Sequence, residues 1–254
     1  MILRRVIEHV KAQNWTAVSL DFLIVVIGVF VGIQVSNWND ARVDQRRAQD
    51  YLARIGGDLD ADIAAIADRV NFWGRVADYG ALGLNYAETG EPGDHTQWDL
   101  LLAYFQASQV AELVPLQATF DELKSAGELG LIADPAFRNA LSDYYMFTAS
   151  ATVTERPPYR AKVRGVIPLS IQSYIWDNCY ASSGSERQTL LACASPVDEE
   201  RAAKIVAVIS EDTALMADLR YWLSSLHVAR LIGDDRMSEA ATLRRSVDEL
   251  LAKR

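Results

Sequence analysis

Residues 17–35 read AVSLDFLIVVIGVFVGIQV, and from Phe22 to Ile33 no side chain is polar. Trp15 and Trp38 flank the stretch. A helix rising about 1.5 Å per residue separates those indoles by roughly 35 Å. That length matches a hydrocarbon core with a tryptophan at each interface, so residues 15–38 read as a transmembrane helix in a lipid bilayer. A cleaved signal peptide fits less well. Its apolar region runs to about 7–15 residues, and Gln34-Val35-Ser36-Asn37-Trp38-Asn39 offers no small-x-small cleavage pattern. The expectation is a retained anchor.

Two segments flank the span. Residues 1–14 form a short basic lead with Ile2, Leu3, Val6, Ile7 and Val10 at helical spacing. Residues 39–254 form a soluble domain with ample chain for its own core. The net charge is −9, and the charges of residues 1–40 (Arg4, Arg5 and Lys11 against Glu8, Asp21 and Asp40) cancel, so the acidic excess lies in that domain. An acidic domain is a poor match to nucleic acid or to the face of an anionic membrane. No low-complexity tract and no fixed-period repeat stands out.

Arginines on both sides of the span leave the positive-inside rule tied: Arg4 and Arg5 with Lys11 before it, Arg42, Arg46 and Arg47 after it. Cys179 and Cys193 break the tie. They are the only two cysteines, and the segment between them begins polar and turn-like. Such a pair suggests a disulfide in an oxidising compartment, worth about 3 kcal/mol for a loop of this size in the chain-entropy model. Two unpaired thiols in a cytosolic domain are the alternative. The favoured topology has a cytoplasmic N-terminus and a periplasmic domain.

The soluble part reads as all-α, an antiparallel helical bundle continuing from the transmembrane helix. Leu52, Ile55, Leu59, Ile63, Ile66, Val70, Trp73 and Ala77 recur every three or four residues, a stripe of coiled-coil type. It fits the first helix of an intramolecular bundle better than a homodimer seam. Gly56-Gly57 marks an expected bend. Gly90-Glu91-Pro92-Gly93-Asp94 is a loop, after which Thr96 and Asp99 open a helix to about Leu113. Thr119 and Glu122 read as a capping box, with Gly127 as the stop. Asp134-Pro135 starts a helix through Phe137, Leu141, Tyr144 and Tyr145. Pro157-Pro158 interrupts, and one helix is expected to carry Val166, Ile167, Ile171 and Ile175 up to Trp176. Ser195-Pro196-Val197-Asp198 opens the next, with Ser195 as cap. Leu215, Leu219, Trp222, Leu226 and Ala229 form a core stripe, Gly233-Asp234-Asp235 a break, and Met237, Ala240, Leu243, Val247 and Leu250 the last helix. Strand-like alternation is weak throughout.

Two segments carry a resemblance. One is the span closing on Gly32-Ile33-Gln34-Val35-Ser36-Asn37-Trp38-Asn39. The other is Thr119-Phe120-Asp121-Glu122-Leu123-Lys124-Ser125-Ala126-Gly127, then Leu131-Ile132, then Leu141-Ser142-Asp143-Tyr144-Tyr145. Together they resemble a family of uncharacterised single-pass bacterial membrane proteins with an apolar span ending in N-W-N and a later L-K-S-x-G … L-x-D-Y-Y run. The resemblance implies a membrane-anchored helical domain and no activity. The expected location is the bacterial inner membrane. The cysteine loop has no counterpart in that pattern.

Few residues point to chemistry. Asp21 is an ionisable group inside a span, by default a functional-site hypothesis, although near the end of the span it reaches headgroups or water. Gly28, Gly32 and Ser36 form small-xxx-small twice, a ridge that lets helices approach in lipid, and Asp21 lies within about 20° of that face. The expected partner is a second copy or a multispan membrane protein. Asn37-Trp38-Asn39 fixes depth. His9, His95 and His227 are too dispersed for a metal motif, with His227 read as a structural residue on a core-rich helix. The cysteine spacing disfavours zinc, and the glycines match no phosphate or dinucleotide loop, so no cofactor is expected. Asp121, Glu122 and Glu128 read as ordinary helix charges; Trp98, Trp176 and Trp222 read as core. The leading function is an interaction or sensory module of the bacterial envelope without catalytic activity. The alternatives are an accessory subunit of an ion- or proton-coupled membrane complex that uses Asp21, and an envelope hydrolase whose site folding assembles.

Overall fold

A computed structural model describes residues 15–146, 156–183 and 187–252, with side chains from residue 19 onward. The lead at 1–14, with His9, and the side chain of Trp15 lie outside the described residues. Among the described residues are eight α-helices: α1 (Trp15–Thr89), α2 (Gln97–Gln106), α3 (Ala118–Ser125), α4 (Pro135–Met146), α5 (Pro158–Val166), α6 (Leu169–Asn178), α7 (Glu199–Ser210) and α8 (Thr213–Ala252). The class is all-α. The chain divides into two compact units, Met1–Tyr51 and Leu52–Arg254.

In the first unit, residues 22–33 of α1 are apolar on every face and uncovered. Phe22, Ile24, Val25 and Phe30 are each 60% exposed or more. A helix of this composition is long and apolar enough to cross a membrane.

The second unit is built on an antiparallel pair, the part of α1 from Leu52 onward and α8. Contacts climb one helix as they descend the other. Gly56 meets Val247, Gly233 meets Val70 and Trp73, and Gly80 meets Leu219 and Leu223. A Cβ on Gly80 would lie 2.5 Å from Leu223 Cδ2, and one on Gly233 would lie 2.5 Å from Val70 Cγ2. These glycines are therefore there for close approach. The expected break at Gly233-Asp234-Asp235 does not occur, because α8 runs through it and packs there. Gly56-Gly57 does not interrupt α1 either, and Gly56 is covered by α8. The stripe from Leu52 to Ala77 is used within the chain. Leu52, Ile55, Leu59, Ile66 and Trp73 are buried, and Ile63, Val70 and Ala77 are half-buried.

Helices α2, α5 and α7 pack on one another, and α4, α5 and α7 pack on α8. The core runs from Trp73 and Val76 through Leu100, Tyr104 and Phe105 to Tyr159, Ile171, Val206 and Trp222. Thr96 and Asp99 form the capping box expected for α2. The helix then ends at Gln106 rather than Leu113. Tertiary partners take over the carbonyls that would continue it: Trp222 Nε1 donates to Ala107 O (2.9 Å) and Trp73 Nε1 to Ala111 O (3.0 Å). The segment that follows is irregular and partly buried, and side chains satisfy its backbone as burial requires.

Three further boundaries differ from expectation. Thr119 is not a cap. Helix α3 begins at Ala118 and receives its cap from α1, where Asp58 Oδ2 accepts from Thr119 N (3.3 Å); Asp62 Oδ1 accepts from Leu116 N (2.7 Å) just ahead of the helix. Glu122 instead pairs with Arg54. Gly127, at φ 71°, ends α3 as expected, with Glu128 N donating to Leu123 O (3.0 Å) in a Schellman closure. The single helix expected across Val166–Trp176 is two. Pro168 forces Ile167 into extended backbone (ψ 126°), so α5 stops and α6 restarts. Helix α7 is capped by Asp198, whose Oδ1 accepts from Arg201 N (2.8 Å), and not by Ser195. Asp134 caps α4 as expected, accepting from Ala136 N (2.9 Å) and Phe137 N (3.2 Å).

Among the described residues, the cysteine loop carries the only strands. Strands β1 (Tyr180–Ser183) and β2 (Arg187–Leu190) pair antiparallel, Tyr180 opposite Leu190 and Ser183 opposite Arg187. Isolated two-stranded ribbons are marginal in water. This one is closed by the Cys179–Cys193 disulfide, with the Cα atoms 5.2 Å apart. Arg75 also donates to Leu190 O.

Candidate functional site

A groove of about 1040 Å³ opens in the second unit. Ala61, Ala64 and Ala65 of α1 form one wall, and the irregular segment Val110–Leu116 forms the other. The alanines recur with Asp68 at three- and four-residue spacing, so they share one helix face, offset from the core stripe. Their short side chains leave the volume open. Four arginines from three parts of the chain converge on it: Arg69 of α1, Arg156 just ahead of α5 with Arg160 in its first turn, and Arg187 of β2. Its carboxylates are Asp68 and Glu112.

The local charge balance is therefore positive in a domain whose total is strongly negative. Asp68 faces Arg187 at 3.6 Å. Arg160 donates through Nη1 to Ser108 O (2.6 Å). Among the described residues neither Arg156 nor Arg160 has a carboxylate partner. Burial, then the neighbouring Arg156, lowers the Arg160 guanidinium below its usual range. Burial and Arg160 bring Arg164 down to about 10. In both cases burial is the larger cause and a neighbouring guanidinium the second.

Behind the groove a polar network holds the arginine helix in place. Arg164 Nε donates to Ser108 Oγ (2.9 Å) and its Nη2 to Gln109 Oε1 (3.1 Å). Gln106 Nε2 donates to Cys179 O (2.9 Å), tying the network to the disulfide. The Arg164 guanidinium lies over Phe105 (4.9 Å) and Trp176 (5.2 Å), so this aromatic pair encloses the chain's own cation.

Comparison with protein-family models, with curated proteins and with solved structures returns no match.

The residues singled out from sequence fall in different places. Asp21, Gly28, Gly32 and Ser36 lie on the uncovered part of α1, where a Cβ on either glycine would meet nothing within 4 Å. Trp38 is exposed, with Arg42 over its ring at 4.5 Å. Trp15 belongs to α1 by backbone only. Cys179 and Cys193 are bonded. His227 is exposed, not a structural core residue, because it lies on the face of α8 turned away from Leu226 and Ala229. His95 is exposed in its loop. Trp98 and Trp222 are buried and Trp176 is half-buried. The arginine groove was not anticipated. Arg156, Arg160 and Arg164 at four-residue intervals in an acidic domain are a visible signal, but Arg69 and Arg187 reach the groove only through folding.

Proposed function

We propose that the chain is a membrane-anchored interaction or sensory module of the bacterial envelope, with one N-terminal span and a helical domain displayed on the periplasmic side. One observation carries this reading. Apolar side chains cover every face of α1 between Leu20 and Val35 and none is buried, whereas the second unit closes its core on itself. A helix uncovered in this way is suited to lipid as its solvent. The disulfide supports an oxidising compartment. The groove supports recognition: its lining is mainly guanidinium and small apolar groups, chemistry suited to holding a ligand.

Alkaline carbonate extraction of membranes tests the anchor. The full chain should stay in the pellet, and release into the supernatant would sink the membrane reading. PEG-maleimide labelling tests the side. Cys179 and Cys193 should react in intact cells only after reduction. Reaction without reduction, and only once the membrane is permeabilised, would place the domain in the cytosol.

A further inference from the structure

We propose that the groove binds a small organic carboxylate, its head on Arg156 and Arg160 and its short apolar body along the alanine wall of α1. Three observations point to that class. First, these two guanidiniums lie together with no carboxylate partner among the described residues, and Arg160 is half-buried. A guanidinium offers paired N–H groups whose spacing matches a carboxylate. Second, Ala61, Ala64 and Ala65 face Val110, Leu113 and Leu116 across the groove, leaving an apolar slot that an inorganic ion would not use. Third, Asp68 already faces Arg187 at 3.6 Å, so Arg156 and Arg160 are the cations left for a ligand, and the apolar wall beside them suits an organic acid better than inorganic phosphate. The volume of about 1040 Å³ suits a small molecule.

This assignment supplies a ligand class to the sensory reading and rests on that reading for its purpose. The groove belongs wholly to the second unit. Loss of binding would therefore leave carbonate extraction unchanged, and release by carbonate would leave binding unchanged.

The test is calorimetric titration of the full chain in zwitterionic nanodiscs with hexanoate, hexanamide and inorganic phosphate. Hexanoate should bind saturably, and hexanamide at least tenfold more weakly. Arg160→Gln together with Arg156→Gln should weaken hexanoate at least tenfold. Arg156→Gln alone removes no hydrogen bond among the described residues and should weaken it severalfold without affecting the fold. Ala64→Leu fills the slot from an exposed helix position and should weaken hexanoate at least tenfold with the far-UV spectrum unchanged. Absence of saturable hexanoate binding, or binding indifferent to both Arg156→Gln and Ala64→Leu, would overturn the proposal. Phosphate binding as tight as hexanoate and blind to Ala64→Leu would also overturn it, because the site would then be a plain anion site.

Discussion

Asp62 is the residue on which most of the local chemistry of α1 depends. Its side chain is buried at 2% exposure, and it accepts from Leu116 N (2.7 Å) and Tyr144 Oη (3.0 Å). Burial raises its pKa above the usual 3.8; the hydrogen bonds from Leu116 and Tyr144 pull it partly back, and repulsion from Asp58 adds a smaller rise. Tyr144 itself lies under Arg236, 5.4 Å from its ring, and stacks edge-on with Tyr145. The folded state thus holds the Asp62 proton more tightly than the unfolded chain does. The stability that this difference contributes is fully present below pH 3.8 and is lost as pH rises through the folded pKa. Asp62→Asn should keep an acceptor for Leu116 N and flatten that part of the pH profile. Asp62→Ala should cost about 1–3 kcal/mol at neutral pH by leaving the Leu116 amide unpaired. Guanidinium unfolding of the full chain at several pH values checks both; a wild-type slope in the Asn variant would contradict the assignment. Sequence did not point to Asp62, since nothing local distinguishes it from Asp58 or Asp60. Its importance is set by an irregular segment more than fifty residues away.

At the scale of elements, the glycines of α1 and α8 separate two roles, with Gly233 on the seam between the two helices and Gly57 on the exposed side of α1. Gly233→Leu should destabilise by about 1–3 kcal/mol or more, because the added side chain must displace Val70 and Trp73. Gly57→Ala should stabilise by about 0.5–1 kcal/mol, because nothing lies within 4 Å and alanine is the better helix former. Equal effects in chemical denaturation would show that the seam is looser than described. The hairpin gives a third expectation. Replacing both Cys179 and Cys193 with alanine should cost about 2–4 kcal/mol, read from unfolding midpoints with and without reductant. Helix existence was legible wherever periodicity and a local cap agreed, as at Thr96 and Asp134. It failed where a partner far away decided the matter. Gly233 looks like a stop and is a packing site. Thr119-x-x-Glu122 looks like a capping box, yet Asp58 of α1 supplies the cap and Arg54 takes the glutamate. Pro168 was legible in principle, since its effect on Ile167 is local and steric.

For the whole molecule, hydropathy alone separates the uncovered apolar segment from the bundle, and heptad spacing alone indicates that the stripe after Leu52 faces a partner. The identity of that partner was a choice between this chain and a second copy, and the structure places α8 there. The groove was beyond reach because its arginines are scattered over more than a hundred positions and meet only in the folded unit. A test at this scale is Arg220→Glu. Arg220 pairs with Glu88 at 2.9 Å across the α1–α8 pair, at half-exposed positions, so reversal should cost under about 1 kcal/mol. A much larger loss in unfolding experiments would mean the pair is more sheltered than its exposure suggests.

The antiparallel seam has a bearing on how the protein comes into being. Arg244 reaches Asp60 across 184 positions of chain, and Val247 covers Gly56. Most of the cover for the α1 stripe is therefore synthesised last. While the ribosome is still extending the chain, Ile55, Leu59 and Ile66 have no lid, and contacts this distant in sequence form slowly. A premature stop near residue 230 would remove little mass and leave that apolar surface open. Such a product should be cleared by proteolysis rather than accumulate as a shortened but working form.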